Sequence, residues 1–454
     1  MSHHHTAPTG GIDPRFTVGV ALDGAGWHPA AWREPSADPA ALFTAAYWTA
    51  LAVSADTAGV DYLTLEDSLH VQGADLTGPL GVADPELPPR VRPGIVEGRL
   101  DALLVASWIA PRTRGIGVIP TVTTTHTEPF HLATALQTLD FVSEGRAGWQ
   151  LRFSPGAVDA AAFGRKPAPE IDLAAVLAGR PDPGLAELIG EAAEVGEVAR
   201  ALWDSWEDDA IIRDVATGRF LDRDRVHRID FAGERFSVAG PSIVPRAPQG
   251  QLPITLLAHA APIYALAADI ADVMFITPDS VSQRAGASRG RGVAELVAAV
   301  RAAEAASDRA ARGFAPLRIV ADLVIGLDTA AESAADRLDR LNTLAGSPYE
   351  SDTRVFVGGA SDAADLIGAW HRAGVDGVRL RPLSLPNDLT AIGETLLPLL
   401  RERGILPAAD PQPEGSRDLR GRFGLGVAVN RHAAARAGSA TTPAPSTTTT
   451  EAPA

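Results

Sequence analysis

The chain repeats one short pattern, in which an alanine-rich helix end passes through an aspartate into a run of strand-forming residues. The pattern occurs in "ADTAGVDYLTL", "AADIADVMFI" and "HRAGVDGVRL". Each copy is typical of the helix-to-strand turn of a repeated αβ unit. The strand runs are nearly continuous in apolar residues, as expected for parallel strands that are covered on both faces.

About eight such units follow one another and predict an α/β fold, a (β/α)8 TIM barrel with loop insertions. The alternative is an open doubly wound sheet, but no phosphate-cradling Gly-x-Gly-x-x-Gly follows a predicted strand. The barrel domain is predicted over residues 14–405, followed by a C-terminal arm over 406–438. Residues 439–454 are predicted to be a disordered tail, because they have too few apolar residues to offset the entropy of ordering.

Composition argues against several classes of function. The net charge of −16 disfavours nucleic acid and anionic membranes as partners. The chain has no cysteine, which excludes disulfides, thiolate metal ligands and a cysteine nucleophile. No apolar run is as long as a membrane span, and neither a metal-binding spacing nor a Gly-x-Ser-x-Gly elbow is present, so we expect no metal and no membrane. A cytoplasmic location is expected.

Two of three insertions follow the carboxyl ends of predicted strands. Residues 70–98 follow the second strand and residues 154–183 follow the fourth, on the face where barrel enzymes build their active sites. The third insertion, 204–251, contains "RIDFAGERFSV", which predicts a hairpin that turns at Gly233. This segment lies between a helix and the next strand, so it is expected at the opposite end of the barrel.

The fourth strand ends in polar residues where aliphatic ones would bury better. Gln150 and Ser154 lie in "GWQLRFSP" and fit a polar heterocycle or a phosphate docked at the barrel mouth. Alternatively, Gln150 forms hydrogen bonds inside the barrel and Ser154 caps the following loop. Arg152 either reaches a phosphate or pairs with an acidic neighbour.

An acidic pair, Glu66 and Asp67, ends the second strand. Neighbours on a strand point to opposite faces, so one of the two is expected to face the barrel and the other a helix. The third strand ends in "TVTTTHTEPF", which supplies several hydroxyls, and His259 ends the fifth. These side chains are candidates for a shared ligand site.

Longer blocks carry a family resemblance. These are "TLDFVSEGRAGWQLRFSP", "ALWDSWEDDAIIRDVATGRFLD", "GERFSVAGPSIVPRAPQG" and "AADIADVMFIT". They resemble bacterial luciferase-like, flavin-dependent monooxygenases, in particular the nitrilotriacetate and dibenzothiophene-sulfone monooxygenase branch. The resemblance implies a TIM barrel that takes reduced FMN, usually from a separate flavin reductase, and uses molecular oxygen on a small organic substrate. It also implies a homodimer.

The resemblance assigns individual residues as well. His28, in "HPAAWR", matches a histidine near the substrate and is the predicted catalytic acid or base. Gln150 stands where the family has asparagine. The predicted cofactor-binding residues are Asp67, Thr123, Thr124 and Gln150 at the flavin ring, and Ser154 and His259 at its phosphate.

The chain departs from the family pattern at the predicted phosphate site. In "LAHAAPIYALAA", His259 replaces a glycine, and no serine or threonine is nearby. Thr134 replaces an arginine, and the long insertion after strand seven is expected to be absent. Two alternatives to an FMN-dependent monooxygenase therefore stay open. One is a deazaflavin-dependent oxidoreductase of the same fold, and the other is a degenerate barrel that binds no flavin and serves as a partner subunit.

Overall fold

Strands and helices alternate along almost the whole described chain. The structure, a computed structural model, describes residues 16–71, 94–177, 179–279, 291–407 and 418–440. The strands are β1 (Thr17–Leu22), β2 (Tyr62–Leu65), β3 (Gly117–Thr123), β4 (Trp149–Arg152), β5 (Ile211–Asp214), β6 (Arg219–Leu221), β7 (Phe231–Ala232), β8 (Ser237–Val238), β9 (Ile254–Leu257), β10 (Val273–Ile276), β11 (Arg318–Leu327), β12 (Val355–Gly358) and β13 (Gly377–Pro382).

Eight of these strands close into a ring. Their order around it is β1, β2, β3, β4, β9, β10, β11 and β13, and β13 pairs back onto β1. Every pairing around the ring is parallel. The predicted TIM barrel is confirmed, and the open-sheet alternative is excluded because the ring closes on itself.

Fourteen α-helices are described, and most of them cover the outside of the ring. They are α1 (Ala45–Ala58), α2 (Ala102–Ile109), α3 (Pro129–Val142), α4 (Ala157–Phe163), α5 (Leu173–Leu177), α6 (Pro183–Trp203), α7 (Ala261–Ile270), α8 (Val293–Ala305), α9 (Ala334–Ala345), α10 (Ala360–Arg372), α11 (Asn387–Ala391), α12 (Leu397–Glu402), α13 (Leu419–Arg422) and α14 (Arg431–Ala440). Local sequence sets several of their ends. Thr44 caps α1 by accepting from the Tyr47 amide, and Gly59 ends that helix in a left-handed conformation.

Side chains on the barrel strands alternate between two apolar layers. Leu63 and Val118 belong to the large core between the ring and its helices. Tyr62, Ile119 and Phe275 belong to a separate cluster inside the ring. Strand neighbours point to opposite faces, so the residue two positions after each member of the inner cluster also faces inward and lies closer to the carboxyl end of the barrel. The polar residues of those strands therefore meet above this inner cluster.

The segment after the seventh barrel strand carries a helix and a strand of its own. Helix α9 follows β11, and β12 then pairs in parallel with the end of β11, from Val324 to Leu327. Sequence reasoning recognised no long insertion here. The structure shows that residues 328–354 bring Asn342, Tyr349 and Asp352 to the carboxyl end of the barrel. Asn342 and Tyr349 contact His28 there, and Asp352 contacts Arg381.

Residues of the predicted C-terminal arm close the other end of the barrel. Leu419 is fully buried, and a Cβ added at Gly117 or Gly148 would lie 2.5 Å or 2.9 Å from its methyl groups. Phe423 packs on Tyr62 with ring centroids 5.0 Å apart. Glycines at the amino-terminal ends of β3 and β4 thus make room for an apolar plug.

The third insertion lies beside this arm. Strands β5 and β6 form one antiparallel hairpin, and β7 and β8 form the predicted hairpin around Gly233. Within the described ranges, no helix combines the length and apolar character needed to cross a membrane. The predicted tail reaches beyond Ala440, where residues 441–454 lie outside the described residues, as do residues 72–93 of the insertion after β2. The predicted domain division stays a prediction.

Candidate active site

The centre of the barrel mouth is a hydrogen-bonded network built around Gln150. The side chain is buried, its Oε1 accepts from Arg379 Nη1 at 2.6 Å, and its Nε2 donates to Glu66 Oε1 at 3.3 Å. These residues come from β4, β13 and the end of β2, so three strands meet at one amide. The sequence predicts that Gln150 either contacts a ligand or forms hydrogen bonds inside the barrel. The structure shows these interior hydrogen bonds.

Asp322 on β11 is the carboxylate that holds this network together. Arg379 donates to both of its oxygens, from Nε at 2.7 Å and from Nη2 at 2.6 Å. Arg381 donates to the same carboxylate and, through Nη1, to Asp352 Oδ1 at 2.5 Å. Asp322 and both arginines are buried. Each of these three charges contacts an opposite charge, which offsets the cost of removing it from water.

Two buried hydroxyls flank Gln150 without a hydrogen-bond partner. Thr121 on β3 and Thr255 on β9 are both in direct register with Gln150. Among the described residues, neither Thr121 Oγ1 nor Thr255 Oγ1 has a partner, although both side chains are almost completely buried. Buried polar atoms usually find partners, so the Thr121–Gln150–Thr255 row indicates a place where water or a ligand binds.

The predicted hydroxyls at the ends of β3 and β4 do come together. Thr123 Oγ1 lies 3.1 Å from Ser154 Oγ, and the Ser154 amide donates to Thr125 Oγ1 at 3.0 Å. Thr124 Oγ1 donates to the Arg152 carbonyl at 3.3 Å. These contacts join the two loops into one polar edge of the mouth.

The acidic pair divides between two faces, as the strand alternation predicts. Glu66 faces the barrel and contacts both Gln150 and Arg379. The Asp67 carboxylate instead accepts from the Ala102 amide at 2.8 Å, at the start of α2, and burial raises its pKa. The sequence predicts Asp67 beside the flavin ring, but only the backbone of this residue is directed toward the mouth. Its carbonyl accepts from Arg152 Nη1 at 2.8 Å.

His28 lies under the loops rather than at an open surface. The loop after β1 is joined to the loop after β13, because the Trp27 amide donates to the Pro382 carbonyl and the His28 amide to the Leu383 carbonyl. The imidazole is 1% exposed. Its Nδ1 accepts from the Ala30 amide at 3.1 Å, which leaves the Nε2 hydrogen to donate to Asn342 Oδ1 at 3.2 Å. Burial lowers the pKa of the ring, so it is neutral at neutral pH.

His259 sits on the opposite side of the mouth, half exposed. Its Nδ1 lies 3.0 Å from Thr277 Oγ1, and its Nε2 lies 3.6 Å from Asp352 Oδ2. The protein surrounding the unexposed part of the ring lowers its pKa by desolvation, and the Asp352 charge opposes that shift. For Asp352 itself, burial would raise the pKa, but the Arg381 charge outweighs it and lowers the pKa to about 2.

A pocket adjoins the mouth between the ends of β1 and β2 and the helices α1 and α2. Apolar side chains form most of its wall: Leu42, Phe43, Trp48, Leu65, Val96, Leu100 and Val105. Asp23, Glu66 and Arg99 supply its charges, and Arg99 Nη2 lies 3.2 Å from Asp23 Oδ1. Glu66 also belongs to the Gln150 network, so the pocket and the network are adjacent.

Sequence reasoning missed three charged residues of the site, Asp322, Arg379 and Arg381. A signal for them was present, because "VADLV" and "VRLRP" place charges inside otherwise apolar strands. Alternation puts 379 and 381 on the same face, which could have indicated an inward pair. Among the described residues, no group of three His, Cys, Asp or Glu could hold a metal ion.

Comparisons with known proteins identify the family of the chain. The sequence profile of the luciferase-like monooxygenases matches residues 25–377. N-acetyl-S-(2-succino)cysteine monooxygenase of Bacillus subtilis is 29% identical over 92% of this chain and 98% of its own length. Nitrilotriacetate monooxygenase component A of Aminobacter aminovorans is 30% identical over 60% of this chain and 56% of its own.

Solved structures share the fold. Long-chain alkane monooxygenase has a TM-score of 0.71 at 22% identity, over 90% of this chain and 95% of that chain. DmoA from Hyphomicrobium sulfonivorans also has a TM-score of 0.71, at 21% identity over 95% of this chain and 99% of that chain. Structural similarity at this level of identity shows only that the fold is shared. The profile match spans more than half of the sequence and therefore shows the family. The chain belongs to the luciferase-like, flavin-dependent monooxygenases.

Proposed function

We propose that the protein is the oxygenase of a two-component system, which binds reduced FMN at the barrel mouth and oxidises a small organic substrate with molecular oxygen. The observation that carries this proposal is the Thr121–Gln150–Thr255 row. Its two unpaired buried hydroxyls, and the amide hydrogen of Gln150 that is not used by Glu66, fit the carbonyl oxygens and ring nitrogens of a flavin.

Further residues complete the proposed cofactor site. Thr124 and the backbone of Asp67 border the ring position, and the Thr123–Ser154 hydroxyl pair lies at its edge. Ser154 and His259 would receive the phosphate. When bound, the reduced flavin supplies the electrons and the reactive centre for oxygen. The task of the chain is to bind and orient the flavin and the substrate, and to exclude water.

The adjoining pocket is the proposed substrate site. Its apolar wall suits a hydrocarbon group, and the Asp23–Arg99 pair suits a polar or charged group of the same molecule, although the cavity of about 20 Å³ must widen to admit it. Two relatives, N-acetyl-S-(2-succino)cysteine monooxygenase and nitrilotriacetate monooxygenase, are named for carboxylate-bearing compounds. A small carboxylate with an apolar portion therefore heads the list of compounds to test.

His28 is the proposed acid or base. As an acid, the ring would donate the proton on Nε2. That N–H group donates a hydrogen bond to Asn342 Oδ1. A lowered pKa keeps the ring neutral and so able to accept a proton, and the Ala30 amide fixes the tautomer that carries its hydrogen on Nε2.

A separate flavin reductase and a second copy of the chain are the proposed partners. On the outside of the barrel, α1 and α2 form an apolar groove that includes Trp48, Leu104 and Trp108. Leu104 is 70% exposed and Trp108 is 43% exposed, which is unusual for two large apolar side chains on one helix. We assign this groove to the dimer contact. A cytoplasmic location stays a prediction.

One observation favours the flavin-free alternative, in which the barrel serves as a partner subunit. The Asp352 carboxylate lies 3.6 Å from His259 Nε2 and is charged at neutral pH, which disfavours a phosphate beside it. Titration of the purified protein with FMN, reduced FMN and a deazaflavin tests all three functions. Tight binding of reduced FMN supports the proposal, binding of the deazaflavin alone supports a hydride-transferring enzyme, and binding of none supports the partner subunit.

A further inference from the structure

The amide of Gln150 is held in one orientation by its neighbours. Its oxygen accepts from Arg379 at 2.6 Å, and its nitrogen donates to Glu66 at 3.3 Å. A flipped amide would place its NH2 group against the guanidinium and its oxygen against a carboxylate. Both contacts would then be repulsive, so the flip is strongly disfavoured.

Arg379 is itself fixed in place. Both oxygens of Asp322 accept from it, and its guanidinium lies over the Phe275 ring at 4.0 Å from the centroid. Residue 379 is 0% exposed. A bidentate pair with a planar ring beneath it allows the guanidinium little movement.

We propose that Arg379, anchored by Asp322, is a positioning residue that presents an N–H group of Gln150 to the ligand. The site then selects a hydrogen-bond acceptor, namely a carbonyl oxygen or an unprotonated ring nitrogen. This inference rests on the proposed function and specifies how its flavin is recognised. Gln150 touches the ligand, and Arg379 acts only through Gln150.

Substitution at 379 leaves the Asp322 carboxylate with a second partner. Arg381 also donates to Asp322, so the buried carboxylate keeps one cationic partner when Arg379 is replaced. Methionine retains most of the apolar stem that packs on Phe275, and lysine retains the charge as well.

The test is a double-mutant cycle on FMN affinity, measured by flavin fluorescence in the parent, Arg379→Met, Gln150→Ala and the double variant. Each single change is expected to weaken binding by roughly tenfold, the effect of one lost hydrogen bond in a buried site. The double variant is expected to bind no more weakly than Gln150→Ala alone. Effects that multiply in the double variant, or unchanged affinity in Arg379→Met, would overturn the proposal.

Two further variants separate positioning from general destabilisation. Arg200 forms a buried ion pair with Asp272 at 2.8 Å, at the amino-terminal end of the barrel strands, so Arg200→Met is the matched control and should leave FMN affinity unchanged. Arg379→Lys should recover part of the affinity and of the absorption spectrum of the bound flavin. If Arg379→Met does not fold, the cycle is run with Arg379→Lys instead. A parent protein that binds no flavin would overturn the proposed function as well, whereas a multiplicative cycle would overturn only the role of Arg379.

Discussion

His432 stacks on His227 with ring centroids 3.9 Å apart and an angle of 14° between the ring planes. This contact attaches helix α14, the end of the described arm, to the segment that follows α6. Arg431 pairs with Asp204 at 3.2 Å beside it, and Asn430 donates to the Asp204 carbonyl at 2.9 Å. The arm is therefore held by a histidine pair within a group of charges.

The attachment of α14 is expected to weaken as the pH falls. Burial lowers the pKa of His432, and the neighbouring His227 and Arg431 lower it further, while Asp204 opposes the shift. A histidine with a lowered pKa binds fewer protons when docked than when released, so docking is favoured above the ordinary pKa of 6.5 and is progressively lost below it. Glu207 accepts from the His227 ring at 2.8 Å and is also contacted by Arg436. Its negative charge partly offsets the repulsion between a protonated His432 and its cationic neighbours.

Hydrogen exchange in residues 431–440, corrected for intrinsic rates, measures this effect. Protection should fall between roughly pH 8 and pH 5.5 in the parent and should change less in His432→Gln, which cannot be charged. Equal protection at both pH values in the parent would contradict the prediction.

Loss of the apolar plug should destabilise the barrel without affecting ligand binding. Leu419→Ala removes a fully buried side chain that fills the space beside Gly117 and Gly148. We expect a loss of about 2–5 kcal/mol in the free energy of unfolding, as for other buried leucines. Denaturant unfolding measures it, and Val427→Ala, at a position that is 95% exposed on the same arm, is the control. A loss below about 1 kcal/mol would mean that the cavity collapses or that the arm is not needed for closure.

The unpaired hydroxyl of Thr255 provides a test of the proposed ligand site. Thr255→Val keeps the shape of the side chain and removes a buried oxygen that has no partner in the described part of the chain. The ligand-free protein is expected to gain up to about 1 kcal/mol in stability, and FMN binding is expected to weaken by roughly three- to tenfold. Thr113→Val is the control, because Thr113 Oγ1 already accepts from Arg146 at 3.0 Å. Weaker FMN binding without a gain in stability would mean that the hydroxyl is already hydrated.

The fold was predictable because its determinants are local. Alternating strand and helix patterns, and the repeated turn into each strand, need only neighbouring residues, and the hairpin at Gly233 is equally local. The polar end of β4 likewise identified Gln150 as a site residue. What it contacts was not predictable, because Arg379 lies 229 positions away and meets Gln150 only once the ring closes with its particular stagger. The burial of His28 was missed for the same reason, since a distant loop covers it.

Replacement of His28 distinguishes catalysis from loop packing. His28→Ala should leave FMN affinity within about threefold of the parent and lower turnover, because the ring contacts Asn342 and Ala30 rather than the Gln150 network. His28→Gln retains an amide donor for Asn342 but cannot take up a proton at neutral pH. If His28 is the acid or base, the glutamine variant should be as slow as the alanine variant. If glutamine restores turnover, His28 only supports the loop.

The pH profile of turnover supplies a second measurement of the same role. A base that must be neutral loses activity as the pH falls through its pKa, and burial lowers the pKa of His28 below the ordinary 6.5. The parent should therefore keep full turnover at neutral pH and lose it on the acid side of 6.5, whereas His28→Gln should show a low rate without that acid limb. His131→Gln, at an exposed histidine on α3, is the control and should keep both the rate and the limb. An acid limb that persists unchanged in His28→Gln would assign the titration to another group and remove His28 from the proton-transfer step.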